Sequence, residues 1–119
     1  MLYSLLRGLK VRQVGQISLN ISVNGTATTP VASGPDAAFV LSVQDLGLGN
    51  YKINLKESAK MNLHVSSLLA LTADSTIIVT AADKSSVTVQ AKSVAASPAA
   101  KDSDLNIQIQ FFDQLSYFF

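Results

Sequence analysis

The sequence predicts an all-β fold, a single antiparallel β-sandwich or jelly roll of about seven to eight strands with an N-terminal arm. Three observations support this prediction. Short segments place apolar residues at every second position, each segment ends at a turn signal, and charged residues are sparse between the segments. The first such run comprises Ile17, Leu19, Ile21 and Val23. Because successive strand side chains point to opposite faces, the alternation buries one face and leaves the other polar.

The N-terminal arm is predicted to span residues 1–12, and the sandwich domain residues 13–119. The arm is apolar and basic. Its leucines fall at near-helical spacing, at positions Leu2, Leu5, Leu6 and Leu9. Gly8 weakens a helix there by up to about 1 kcal/mol relative to Ala. The segment is therefore either an arm that becomes ordered against a neighbouring molecule or an edge strand of the same domain.

The first strand is predicted from Gln13 to Val23, and it stops at Asn24-Gly25. This dipeptide favours the positive φ angles of a tight hairpin turn. Residues 26–36 follow, and they contain two prolines and a glycine. That composition fits a loop or a short edge strand better than a central strand.

An antiparallel hairpin is predicted next, from strands at 37–43 and 50–57 joined by a glycine-containing loop of a few residues. The short loop favours pairing of the two strands with each other. Phe39, Leu41 and Val43 share one parity in the first strand. We therefore expect these three side chains to face the core.

The middle of the chain departs from strict alternation. The parity of Met61, Leu63 and Val65 is lost over residues 66–71, which predicts a bulge or bend in a strand that crosses between the sheets. Residues 76–81 are β-branched and nearly all apolar. This segment is predicted to be buried on both faces or to lie at a subunit interface.

Two further strands complete the predicted domain. A turn at 83–86 leads into a strand at 87–93, and the small residues of 94–103 predict a loop. The last strand, 105–112, alternates strongly between apolar and polar residues. An aromatic tail follows it.

The composition favours an oligomer. Apolar residues make up 48% of the chain and charged residues only 14%, against roughly 25% charged in an ordinary globular protein. Part of the neutral surface is therefore expected to face another protein. The net charge is +1, and the basic and acidic residues are scattered along the chain rather than clustered. No apolar run reaches the roughly 18 residues of a membrane-spanning helix. We expect neither a nucleic-acid partner nor a membrane partner. The leucine-rich opening is followed by Arg7 and Lys10 rather than by a cleavage site, so it is interpreted as mature sequence.

The sequence offers little for catalysis or metal binding. It has no cysteine, and His64 is its only histidine. A general base or a zinc ligand needs converging partners, and no motif supplies them. Asp102 and Asp104 lack the spacing of a calcium loop, and aspartates at strand ends are ordinary turn residues. We therefore expect no enzyme and no cofactor, and a small hydrolase or metal-binding enzyme is a remote third hypothesis.

The two ends of the chain and one strand residue are the candidate interface. Burial of one aromatic ring contributes on the order of 2 kcal/mol, so exposed terminal aromatics are expected to be covered. They either fold back on their own domain or anchor in a neighbouring subunit, and the low charge favours the second. The candidate residues are Leu2, Tyr3, Leu5, Leu6, Ile78, Tyr117, Phe118 and Phe119.

Three stretches resemble the small β-sandwich modules of tailed-bacteriophage virions. They read Gly-Asn-Tyr-Lys-Ile-Asn-Leu at 49–55, Ser-Val-Thr-Val-Gln at 86–90 and Asp-Ser-Asp-Leu-Asn-Ile-Gln-Ile at 102–109. An Ala/Asp-rich loop precedes the last strand, which ends in Phe111-Phe112-Asp113. The resemblance covers about residues 37–113. It implies a jelly roll similar to the trimeric tumour-necrosis-factor-like heads, used as capsid decoration or in head and tail fibres.

The resemblance leads to a functional expectation. The chain has no long fibre stem, so its short leader looks more like a docking arm on a capsid than a shaft. We expect a non-enzymatic virion protein, a capsid decoration or cement protein that forms a homotrimer and binds the major capsid protein or another virion protein. The alternative is a receptor- or glycan-binding knob, with recognition carried by loops 26–35 and 94–102. Those loops contain no aromatic residue.

Overall fold

The computed structural model of the protein describes residues 11–23 and 30–114. Those residues contain eight strands and a short 3₁₀ turn at Ala37–Phe39. The strands are β1 (Val11–Ser22), β2 (Val31–Ser33), β3 (Val40–Gly47), β4 (Asn50–Leu55), β5 (His64–Ala70), β6 (Ser75–Ala82), β7 (Ser86–Ser93) and β8 (Leu105–Gln114). β1 begins at Val11, inside the segment predicted as an arm, and the remainder of that segment lies outside the described residues.

The strands form two four-stranded sheets in which every neighbouring pair is antiparallel. Sheet A has the order β2-β1-β8-β5, and sheet B has the order β3-β4-β7-β6. The inward side chains of the two sheets pack against each other in one core. The all-β sandwich predicted from the alternation is thereby confirmed.

The core is built from the alternating residues of the four inner strands. In sheet A, Ile17 lies opposite Ile109 and Leu19 lies opposite Ile107, so each pair points inward together. In sheet B, Tyr51 lies opposite Val89. Each of these side chains is at most 5% exposed. Full burial of one aliphatic side chain contributes about 1.5–3 kcal/mol, so these inner strands contribute most of the hydrophobic stabilisation.

The chain combines three hairpins with four crossings between the sheets over the described residues. β1–β2, β3–β4 and β6–β7 are hairpins within one sheet, whereas the chain passes between sheets after β2, β4, β5 and β7. The β3–β4 hairpin predicted from sequence is confirmed, with Val43 opposite Ile53. The predicted turn at Asn24-Gly25 lies outside the described residues.

One prediction for β3 is wrong. Phe39 and Leu41 were expected to face the core with Val43, but they are 56% and 67% exposed, whereas Val43 is 6% exposed. The 3₁₀ turn ends at Phe39, and the register of β3 shifts between Val40 and Ser42. Because the shift adds one residue, Val40 packs on the core in place of Leu41.

The predicted irregularity in β5 is confirmed, since its pairing with β8 shifts between Val65 and Ser67. The strand itself does not cross between the sheets, because β5 stays in sheet A and the segments on either side of it make the crossings. β6 is not buried on both faces. It is an edge strand that pairs with β7 alone, so its outward residues stay exposed.

Candidate interaction surfaces

The structure describes one of the candidate interface residues. Ile78 lies on the outer face of β6 opposite Gln90, and its side chain is 54% exposed. The other candidates lie outside the described residues. They are Leu2, Tyr3, Leu5, Leu6, Tyr117, Phe118 and Phe119.

Ile78 belongs to a long uncharged side of the sandwich, which we call the β5–β6 side. β5 and β6 are the edge strands of the two sheets, and they contact each other along this side. Neither strand contains Asp, Glu, Lys or Arg. Four large apolar residues on or next to these strands are at least 38% exposed: Leu69, Leu71, Ile78 and Val79. An exposed apolar edge of this kind marks an interaction surface or an aggregation site.

The opposite side, which we call the β2–β3 side, carries a groove lined by both polar and apolar atoms. The groove has a volume of about 300 Å³ and lies between β2 and β3. Its lining comprises Pro30, Val31, Ala32, Ala37, Val40, Leu41, Ser42 and Val43. Val31, Phe39 and Leu41 are each more than half exposed at or beside it. The sequence analysis missed this surface because it placed Phe39 and Leu41 in the core; the adjacent apolar pair Val40-Leu41 was the signal that one of the two must point outward.

The outer face of sheet A is polar but uncharged. Amide side chains face outward from its two central strands, β1 and β8. The amide of Gln16 donates a hydrogen bond to Oε1 of Gln108 at 3.3 Å, and the amide of Asn106 donates to Oδ1 of Asn20 at 2.8 Å. Between residues 14 and 112, the described outward positions of this sheet include no Asp, Glu, Lys or Arg. This face can exchange hydrogen bonds with a partner without desolvating a charge.

An apolar pocket lies where the ends of the described chain meet. Val11 pairs with Gln114 at this end of sheet A. The pocket, of about 310 Å³, is lined by Met61, Asn62, His64 and Phe112. The rings of His64 and Phe112 meet edge to face, with centroids 5.9 Å apart.

The aspartates that might have held a cation instead fasten loops. Oδ1 of Asp102 accepts hydrogen bonds from the hydroxyl of Tyr51 at 2.6 Å and from the N–H of Gly49 at 2.9 Å. Oδ1 of Asp104 accepts the N–H of Val23 at 2.8 Å. Within the described ranges, no group of three His, Cys, Asp or Glu residues is placed to hold a metal ion. The carboxylates therefore act as loop anchors in this fold.

Two side chains that form such loop hydrogen bonds, Tyr51 and Asp83, have shifted pKa values. Burial of Tyr51 raises the pKa of its hydroxyl far above the ordinary value, and the hydrogen bond to Asp102 raises it further. Asp83, in the turn between β6 and β7, accepts hydrogen bonds from the N–H of Ser85 and from the hydroxyl and N–H of Ser86. These bonds hold the pKa of Asp83 below its ordinary value of 3.8.

Searches of protein-family models, curated proteins and solved structures found no match to this chain. Over residues 11–23 and 30–114, no helix has the length and apolar character needed to span a membrane. The fold itself defines a class: the chain is a two-sheet antiparallel β-sandwich.

Proposed function

We propose that this chain is a non-enzymatic structural protein of a virion, most concretely a capsid decoration or cement protein. In this proposal the chain forms a homotrimer, binds the major capsid protein or another virion protein, and stabilises the shell. The support comes from the surface of the sandwich and from the resemblance of residues 37–113 to phage virion modules.

The observation that carries the proposal is the pair of apolar sides. Leu41 is 67% exposed on the β2–β3 side, and Ile78 is 54% exposed on the β5–β6 side. A monomer rarely leaves apolar surface exposed on two opposite edges, because each patch favours association. Self-association through these sides would cover both.

The uncharged face of sheet A suits contact with a shell. Its amide and hydroxyl side chains can form many weak contacts over a broad area, and copies held together in an oligomer bind jointly. Modest affinity per copy is then sufficient. The apolar segment before Val11 is proposed as the docking arm, and the aromatic residues after Gln114 as anchors in a neighbouring subunit.

The first test is the mass of the full chain in solution, followed by binding to shells. We expect sedimentation equilibrium to give about three times the monomer mass of 12.6 kDa. The trimer should then co-sediment with capsids that have been depleted of it. A monodisperse monomer that does not bind such capsids would overturn the proposal.

Deletion of residues 1–10 removes most of the predicted arm and tests its role while leaving β1 intact, since that strand begins at Val11. We expect the shortened chain to keep its β circular-dichroism spectrum and to lose capsid binding. Undiminished binding would show that the arm is not the docking element. The full chain with Lys84→Ala serves as a folded control, since Lys84 is exposed in the β6–β7 turn, outside the arm and outside the outer face of sheet A.

The outer face of sheet A also favours the alternative, a receptor- or glycan-binding knob. Side-chain amides both donate and accept hydrogen bonds, which matches the hydroxyl groups of a sugar. Binding to host cells or to a glycan array, with no affinity for depleted capsids, would replace the decoration role with the knob.

A further inference from the structure

We propose that the outer face of sheet A is a binding site for an extended, uncharged polysaccharide. The site has two parts, a row of amide and hydroxyl side chains along β1 and β8 and an aromatic end formed by His64 and Phe112. The inference rests on the knob alternative given above, for which it specifies the site and the class of glycan.

Amide and hydroxyl side chains face outward at three successive pairs of β1 and β8. The pairs are Gln16 with Gln110, Ser18 with Gln108, and Asn20 with Asn106. The amide of Gln16 donates to Gln108 at 3.3 Å. The amide of Asn106 donates to Asn20 at 2.8 Å, so cross-strand hydrogen bonds orient the row. A side-chain amide has two N–H donors and an acceptor oxygen with two lone pairs, so an amide in one such bond can still bond a ligand.

The row is long and regularly spaced. Phe112 lies six residues after Asn106 in β8, so the row is about 20 Å long at about 3.4 Å per residue. Every second residue of a strand faces outward, which places successive outward side chains about 7 Å apart. A ligand with repeating units that lies along the strands can therefore meet similar hydrogen-bonding groups at each unit.

The aromatic end supplies the apolar contact that a sugar ring needs. Phe112 shares the strand parity of Gln110, and His64 lies opposite Gln110 on β5, so the two rings belong to the same outer face. Their centroids are 5.9 Å apart in an edge-to-face arrangement. With Met61 and Asn62 they line the apolar pocket of about 310 Å³ described above. The faces of a sugar ring carry apolar C–H groups and its edge carries hydroxyl groups, so the rings and the neighbouring amides match the two parts.

The absence of charge determines the class of ligand. Between residues 14 and 112, the described outward positions of sheet A carry no Asp, Glu, Lys or Arg. Phosphates and acidic sugars are bound mainly by Lys and Arg, so this face is poorly suited to nucleic acids and to acidic polysaccharides. A neutral sugar exchanges hydrogen bonds with amides, and no charge is desolvated when it binds.

The carboxylates at the margins of this face are engaged or turned away from it. Asp36 accepts the N–H of Ser18 at 2.8 Å, and Asp104 accepts the N–H of Val23 at 2.8 Å. Asp113 has the strand parity of the core-facing residues of β8. The centre of the face therefore stays neutral.

The first experiment measures binding of the full chain to defined polysaccharides. The neutral probes are dextran, galactomannan and mixed-linkage β-glucan, together with a printed array of neutral bacterial glycans, and alginate is the acidic probe. We expect saturable binding to at least one neutral probe in titration calorimetry, with an affinity that does not change between low and high salt. Absence of binding to every neutral probe, or binding to alginate alone, would overturn the inference.

Two substitutions locate the site. Phe112→Ala removes the ring and should weaken binding roughly tenfold or more. Gln110→Ala removes an amide that lies between Gln16 and His64, and it should weaken binding roughly threefold to tenfold. Gln90→Ala is the matched control, because Gln90 is an outward amide on β7, an inner strand of sheet B. Circular dichroism and urea unfolding check that each variant is folded, and equal affinities for Gln110→Ala and Gln90→Ala would exclude this face.

A second measurement does not depend on the stability of a variant. The side-chain NH₂ groups of Asn and Gln give separate signals in ¹H–¹⁵N spectra of the unmodified chain. Titration with an oligosaccharide of the bound polymer should shift the signals of Gln108 and Gln110. The signals of Asn54 and Gln90, which lie on the outer face of sheet B, should not move. Shifts confined to sheet B would overturn the assignment.

Capsid binding separates this inference from the proposed function. The decoration role uses the same face of sheet A for contact with a shell, so a bound polysaccharide should compete with depleted capsids. Competition supports both. Polysaccharide binding without affinity for capsids supports the inference and replaces the decoration role with the knob. Capsid binding without polysaccharide binding overturns the inference and leaves the decoration role standing.

Discussion

The two open sides of the sandwich differ in how their strand edges are protected. On the β2–β3 side, β2 is only three residues long. After the end of β2, the carboxylate of Asp36 accepts a hydrogen bond from the N–H of Ser18 in β1 at 2.8 Å. β3 has a register shift near each end. On the β5–β6 side, the edge strands are seven and eight residues long and carry no charge.

This difference indicates where pairing has been restricted and where it has been left available. Short strands, bulges and charges are the usual means of preventing edge-to-edge association. Short strands and charges are concentrated on the β2–β3 side, whereas register shifts interrupt both sides, two in β3, one in β5 and one in β6. The β5–β6 side offers longer, uncharged strands instead, with one regular stretch from Ser75 to Val79 along β6. The β5–β6 side therefore has the more open strand edges of the two.

The largest expected effect is at the β3–β4 turn, which shapes the β2–β3 side. A Cβ on Gly49 would lie 2.5 Å from the Ala91 carbonyl oxygen, at φ 75°. We expect Gly49→Ala to lower the free energy of unfolding by about 3 kcal/mol, through steric overlap and left-handed strain. Gly47→Ala is the control, since nothing lies within 4 Å of its Cβ at φ 133°, and it should cost about 1 kcal/mol. Urea unfolding measures both, and equal losses would contradict the account of this turn.

The second prediction compares the stability cost of truncating one valine on each of the two sides. Val43 under β3 is 6% exposed, whereas Val79 on β6 is 38% exposed. Val43→Ala should cost about 2 kcal/mol, and Val79→Ala less than about 1 kcal/mol in dilute solution. If the β5–β6 side is covered by another copy, the loss for Val79→Ala should grow with protein concentration. A loss that does not change with concentration would argue against burial of Val79 in an assembly.

The third prediction concerns the hydrogen bond between the hydroxyl of Tyr51 in β4 and the carboxylate of Asp102 in the loop that connects β7 and β8. Tyr51→Phe removes the hydroxyl that donates to Asp102 and should cost about 1–2 kcal/mol at neutral pH. Because the pKa of Tyr51 is raised in the folded chain, the unfolded chain loses that proton first, and stability falls as pH rises above about 10. Tyr51→Phe should weaken this alkaline decline in urea unfolding. The same decline in both proteins would exclude Tyr51 as its source.

The smallest effect is expected at the β6–β7 turn. The pKa of Asp83 is lowered in the folded chain, so its contribution is present above about pH 4 and is lost as pH falls through the folded pKa. Asp83→Asn removes the titrating group and keeps an acceptor oxygen for Ser85 and Ser86. Unfolding free energy measured from pH 5 to pH 2.5 should therefore fall less steeply in the variant. A parallel decline would show that other carboxylates account for it.

The sequence predicted the inner strands well because their alternation is long and uninterrupted. Residues 17–23 and 105–111 keep one parity over several residues, and each apolar member up to residue 109 is buried. Burial of one face is the main physical requirement on such a strand, so the pattern alone is sufficient.

The edge strands were harder to predict, because their position in the sheet depends on pairing between distant parts of the chain. Ile77, Ile78 and Val79 form a run typical of a strand buried on both faces, yet β6 is an edge. A single added residue between Val40 and Ser42 was enough to turn Leu41 outward. The exposed apolar residues beside the β2–β3 groove followed from that bulge, which no local signal marked beyond the neighbouring apolar pair Val40-Leu41.

The pairing of Val11 with Gln114 has a practical consequence for engineering this protein. The first and last described strand positions are neighbours in one ladder, so a short linker could join them directly. New termini could then open at residues 95–98, which are exposed. Such a circular permutant would retain every strand pair and would carry any cargo fused to it on the opposite pole of the sandwich.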